Sequence, residues 1–158
     1  MHEHCPAVSF PQGFLHYIMK VSGGYHMSAF VEYNPNPLGR RTGDCAIRAI
    51  AKALDITWDK AYALITTKGY AMGDMPSSNS VWGAVLRGNG FKRFAVPNTC
   101  PDCYTAEEFL NDHPEGLYVL GFGGHVATAI DGKLYDSWNS IQLIPQYYWT
   151  KEEEDGVQ

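Results

Sequence analysis

The chain is 158 residues long, enough for one domain with a buried core, and its 45% hydrophobic and 13% aromatic content excludes wholesale disorder. A formal charge of −5 without a basic run argues against a general nucleic-acid binder, and no apolar run reaches membrane-spanning length. Four cysteines are too few for a disulfide scaffold, so a reducing cytoplasm is the expected compartment.

Residues 1–26 differ from the rest. They hold four of the six histidines (His2, His4, His16, His26) and no sustained periodicity, with at most a short strand near Phe14–Met19. Gly23-Gly24-Tyr25-His26-Met27 can be encoded by GGAGGT-TAT-CAT-ATG, a bacterial ribosome-binding site correctly spaced before a start codon. A translated leader or a flexible extension is therefore expected over 1–26, a single domain over 27–149, and an acidic tail over 150–158. No positive segment followed by an apolar stretch marks a signal peptide.

From Met27 the pattern suggests a strand to Tyr33, then a turn-rich lead-in, Asn34-Pro35-Asn36-Pro37-Leu38-Gly39. A helix opens at Cys45, capped by Thr42 or Asp44, with Ile47, Ile50, Ala51 and Leu54 at helical spacing. A second helix is expected from Trp58 to about Thr66 with Thr57 as its cap, and then a loop over 67–77. A third runs from Ser78 to Leu86 and stops at Gly88-Asn89-Gly90. After a strand over Phe91–Val96, Thr105-Ala106-Glu107-Glu108 reads as a capping box opening a helix that ends near His113-Pro114. Strands follow at Leu117–Phe122, His125–Ile130, Lys133–Trp138, Ile141–Ile144 and Tyr147–Trp149. Helices first and strands last predict an α+β domain with an antiparallel sheet.

Asp131-Gly132 is the strongest two-residue hairpin signal in the chain. A type I′ turn there pairs Ile130 with Lys133, which sets Ala127 opposite Asp136 and His125 opposite Trp138. His125, Ala127, Ala129, Leu134, Asp136 and Trp138 then share one face, Ser137 points to the other, and Asp136 becomes the diagonal neighbour of His125. A cysteine in the first turn of a helix meets unpaired N–H groups and the positive end of the helix dipole, both of which favour thiolate. A histidine can take its proton, and a carboxylate can fix the histidine ring. Cys45, His125 and Asp136 are the candidate catalytic residues.

These segments resemble the papain-like cysteine peptidases. Gly43-Asp44-Cys45-Ala46 is similar to that family's Gly-Ser-Cys-Trp, His125-Val126-Ala127-Thr128 to its His-Ala-Val-Ala strand, and Asp136-Ser137-Trp138 to its Asn-Ser-Trp. The resemblance implies a papain-like fold, with the Cys helix packed against a C-terminal sheet carrying His and Asp. It also implies hydrolysis of a peptide, isopeptide or related amide bond through a thioester, with Trp138 shielding the His125–Asp136 bond. Acyl transfer of the transglutaminase type would use the same triad, and a papain-fold binding module without turnover would retain it. An Asp as third residue is found among bacteriocin-processing and transglutaminase-like relatives. The Asn-Pro-Asn-Pro lead-in and Gly-Asp-Cys start are similar to bacterial and phage chains, which implies a bacterial or phage-infected cytoplasm. The expected partner is a peptide or protein substrate, with no metal, cofactor, nucleic acid or membrane.

One position departs from the family. The glutamine that stabilises the oxyanion about six residues before the nucleophile is replaced by Gly39. Asn36 or Asn34, with the Cys45 N–H, is the expected substitute, although turn chemistry before proline also accounts for both asparagines. Cys100-Pro101-Asp102-Cys103 has the spacing of half a zinc site or a redox pair. Further zinc ligands would have to come from His2, His4 and Cys5, and no βαβ context supports redox chemistry, so the pair is read as loop cysteines.

Overall fold

The computed structural model describes residues 29–96 and 104–151. The expected leader over 1–26, the Cys100/Cys103 pair and residues 152–158 of the tail lie outside the described residues. The elements run β1 (Phe30–Glu32), α1 (Cys45–Ala53), α2 (Trp58–Met72), α3 (Asn79–Gly88), β2 (Lys92–Ala95), α4 (Ala106–Asp112), β3 (Leu117–Gly121), β4 (Val126–Ile130), β5 (Lys133–Asp136) and β6 (Tyr147–Thr150). The class is α+β. Among the described residues no helix is long and apolar enough to cross a membrane.

The six strands form one sheet in the order β1-β5-β4-β3-β6-β2. Every neighbouring pair is antiparallel except β1 and β5, which run parallel, so the expectation of an antiparallel sheet is corrected to a mixed one. The cause is connectivity: most of the domain separates β1 from β5, and no tight turn imposes direction on the pair. Tyr33 N–H donates to the Asp136 carbonyl at 2.7 Å, which ties the lead-in to the strand carrying the candidate acid.

Local sequence signals account for most boundaries. Thr57 Oγ1 accepts the Lys60 N–H, and Thr105 with Glu108 forms the complete capping box. Asp131 and Gly132 both adopt positive φ, and Ile130 pairs with Lys133 as the hairpin signal requires. Two expectations fail. Helix α2 continues through the anticipated loop to Met72, because its buried stripe is thin (Ala61, Ile65, Gly69) and carries little periodicity to read. It stops where Gly73 takes the left-handed conformation at φ 64°. Ile141–Ile144 is a turn, not a strand. The Ile141 and Leu143 carbonyls accept the Glu107 and Ala106 N–H groups at 2.9 and 2.8 Å, satisfying donors that the first turn of α4 cannot satisfy internally.

The sheet is covered on both faces. Val119, Val126, Tyr147 and Trp149 pack with α1, α2 and α3, whereas Leu120, Phe122, Ala127, Ala129 and Leu134 pack with α4. A buried hydroxyl fixes α1 to the sheet: Thr128 Oγ1 donates to the Ala49 carbonyl at 2.8 Å. Gly121, opposite Tyr147, makes room for that ring, since a Cβ there would lie 2.3 Å from it. Gly121→Ala is expected to cost about 1–3 kcal/mol through overpacking, measured as a lower urea midpoint.

Candidate active site

Asp44 is the N-cap residue of α1, yet its side chain makes no capping bond. The carboxylate instead accepts Trp58 Nε1 at 2.9 Å and Asn36 Nδ2 at 3.4 Å, and it pairs with Arg48 one turn along the helix. Because Asp44 does not bend back over the helix start, the first turn stays open around Cys45, which is half-buried.

His125 immediately precedes β4, and Asp136 closes β5. Their distance is 2.6 Å from His125 Nε2 to Asp136 Oδ2, as the diagonal register predicts. Both lie beyond the last β4–β5 pair, Thr128 with Tyr135, while Asp136 still pairs with Glu32 of β1. There the first turn of α1 meets them, and Cys45 lines one cleft with His125, whose imidazole acts on the thiol. With Nε2 committed to Asp136, Nδ1 is the nitrogen available to sulfur. Phe122 and Trp138 flank the imidazole at ring-centroid distances of 5.9 and 5.2 Å.

Asp136 is held from several sides. Ser140 Oγ donates to Oδ2 at 2.6 Å, the Ser137 N–H donates to Oδ1 at 2.7 Å, and Arg48 Nη2 lies 3.4 Å from Oδ1. Arg48 is itself buried, so one guanidinium bridges the acid before Cys45 and the acid behind His125. Sequence reasoning missed both Arg48 and Ser140. Arg48 left a trace, a charge in an otherwise apolar helix stripe, four residues after Asp44. Ser140 left none.

Burial alone would raise the Cys45 pKa. The hydrogen bond to His125, the imidazolium charge, the Val126 N–H and Arg48 outweigh it and bring the thiol below its ordinary value. Burial would likewise lower His125, but the hydrogen bonds and charges of Asp136 and Cys45 raise it to about 9. For Asp136, burial is overcome by His125, Ser140 and the Ser137 N–H, and the carboxyl stays below its usual range. Both shifts run in the direction of a thiolate–imidazolium pair. The sign for folding follows from linkage. His125 contributes stability that is complete below its unfolded value of 6.5 and is lost as pH rises through about 9.

The remaining candidates divide. Trp138 lies against His125 and is 45% exposed, lining with Cys45 a cleft of about 360 Å³. Ser137 lines the same cleft, contrary to the strand alternation, because the strand ends at Asp136 and alternation ends with it. Asn36 is turned away: Nδ2 goes to Asp44 and Oδ1 accepts the Leu38 N–H at 3.0 Å. Asn34 bonds the Arg40 carbonyl and the Asn36 N–H, and Gly39 sits in that turn at φ 63°. Both asparagines serve the lead-in turn and the Asp44 cluster.

Among the described residues no group of three or more His, Cys, Asp or Glu side chains could hold a metal ion. No family model matches the chain, and no curated protein or solved structure matches it either.

Proposed function

We propose that the chain is a papain-like thiol hydrolase acting on a peptide, isopeptide or related amide bond. The observation that carries the proposal is the 2.6 Å His125–Asp136 contact, with Cys45, at the start of α1, lining one cleft with the same imidazole. Cys45 sulfur, as thiolate, attacks the carbonyl carbon, and the N–H groups of the first turn of α1 face the developing oxyanion. His125 gives its proton to the leaving amine as the C–N bond breaks, which leaves a thioester and a neutral imidazole. His125 then takes a proton from water, the hydroxide attacks the thioester, and the carboxylic acid departs with the thiolate restored. Asp136 keeps the ring oriented, and Trp138 covers it. A reducing compartment such as a bacterial or phage-infected cytoplasm keeps the thiol available.

The pH profile of alkylation tests this reading. Iodoacetamide is expected to label Cys45 below the usual thiol range, with a plateau and then a second rise near pH 9 as His125 loses its proton. Turnover of an amide substrate should fall over that same upper limb, because the leaving amine then lacks its acid. A single rise centred on the ordinary thiol value of about 8.5 would sink the proposal.

A second reading has one observation in its favour. Asn36 is engaged by Asp44 and Gly39 offers no side chain, so the family's side-chain oxyanion donor has no counterpart at either position. A binding module that retains the triad without turnover fits that fact. It predicts Cys45 alkylation without thioester turnover, which a burst assay with an activated ester separates from hydrolysis.

A further inference from the structure

Thr42 and Gly43, which line the Cys45 cleft, also line a second cavity of about 400 Å³, so the two hollows are neighbours that share this stretch as a wall. A volume of this order lies within the roughly 300–1,000 Å³ range of ligand clefts. Its wall is aromatic. Trp58 and Tyr62, four residues apart on α2, stack at 5.0 Å between ring centroids, and Ile47 and Leu38 add aliphatic surface. Tyr62 and Leu38 are 47% and 77% exposed, an apolar surface left facing water beside the proposed nucleophile. The wall is also preorganised, since the buried Asp44 carboxylate holds the Trp58 indole N–H at 2.9 Å.

Direction follows from the chemistry. The leaving amine must lie at His125, which shares its cleft with Trp138, so the acyl part of a substrate extends the other way, over Gly43. Charge narrows the class further. Arg40 lines the second cavity, and no carboxylate among the described residues pairs with it, whereas Arg41 on the other side is taken by Glu32 at 2.7 Å.

We infer that this hollow is an acyl-side subsite that takes an aromatic or large aliphatic side chain of an acidic peptide. The side chain packs on Trp58, Tyr62 and Ile47, and a neighbouring carboxylate meets Arg40. The assignment rests on the thiol-hydrolase reading for its direction, but its occupancy can be measured separately.

Thiol-reactive dipeptidyl ketone probes carrying Phe, Leu or Gly on the acyl side, preceded by Glu or Lys, test it. Glu-Phe and Glu-Leu probes are expected to label Cys45 roughly tenfold or more faster than Glu-Gly, the scale of burying one large apolar side chain. Tyr62→Ala should shrink that ratio severalfold, and Arg40→Glu should invert the Glu-over-Lys preference. Equal rates for all side chains, with iodoacetamide still selective for Cys45, overturn the subsite and leave the nucleophile standing. Occupancy is read without chemistry by titrating Cys45→Ala protein with unreactive acetyl-Glu-Phe-amide and acetyl-Glu-Gly-amide, following the Trp58 indole N–H by NMR. Tenfold tighter binding of the Phe peptide supports the subsite. Equal binding overturns it, whatever the fate of the nucleophile.

Discussion

His125→Ala is expected to slow alkylation of Cys45 at pH 6 by about two orders of magnitude and to lower any amide turnover by roughly 10⁴–10⁶. The first figure follows from ionisation. A thiol with the ordinary pKa of about 8.5 is roughly 0.3% thiolate at pH 6, whereas a paired thiol is largely ionised. The weaker intrinsic nucleophilicity of a low-pKa thiolate takes back part of that gain. The turnover figure is larger because the same imidazole must also protonate the leaving group and later activate water. His125 does most to lower Cys45 and Arg48 does least, so Arg48 alone cannot sustain the thiolate. Alkylation kinetics followed by mass spectrometry at Cys45 decide the matter. A rate at pH 6 unchanged within twofold would mean that the pair does not form.

Arg48→Met is expected to destabilise the fold by about 3–5 kcal/mol at pH 7, seen as a lower urea midpoint. The apolar replacement keeps much of the side-chain volume but leaves two buried carboxylates, Asp44 and Asp136, without the cation between them. A buried ion cluster of this kind adds little net stability over an apolar core, and Arg48 Nε is itself buried without a hydrogen-bond partner. What the cluster does supply is registration: it couples the helix start that carries Cys45 to the strand end that carries Asp136. Adding Asp44→Asn to Arg48→Met should therefore recover part of the loss, because one of the two stranded charges is gone. A single-variant loss below about 1 kcal/mol would show that the bridge is dispensable. Loss of selective Cys45 labelling in the still-folded variant would separate registration from stability.

Which of these features could be read along the chain depended on range. Thr57 capping α2, the Thr105–Glu108 box and the Asp131-Gly132 hairpin are interactions within a few residues, and each was legible from residue type and spacing. The hairpin also reaches further: a two-residue turn sets register, register sets which side chains are diagonal neighbours, and so the sequence itself pairs His125 with Asp136. The same logic failed at Ser137, one residue past the strand end, where alternation no longer applies. It failed again at Ile141–Ile144, whose apolar composition reads as strand but whose carbonyls are recruited by the first turn of a helix more than thirty residues earlier.

Sequence alone thus determined the α+β class, the local caps and turns, and the identity of the three candidate catalytic residues, because each rests on short-range geometry with a fixed period. Tertiary structure alone decided that the sheet is mixed, that helices cover both its faces, that Asn36 serves Asp44, and that Arg48 joins two acids across the end of the sheet. Those outcomes depend on which distant groups compete for the same carboxylate or carbonyl. Asp44 could have capped its helix; Arg48, Trp58 and Asn36 reach it first.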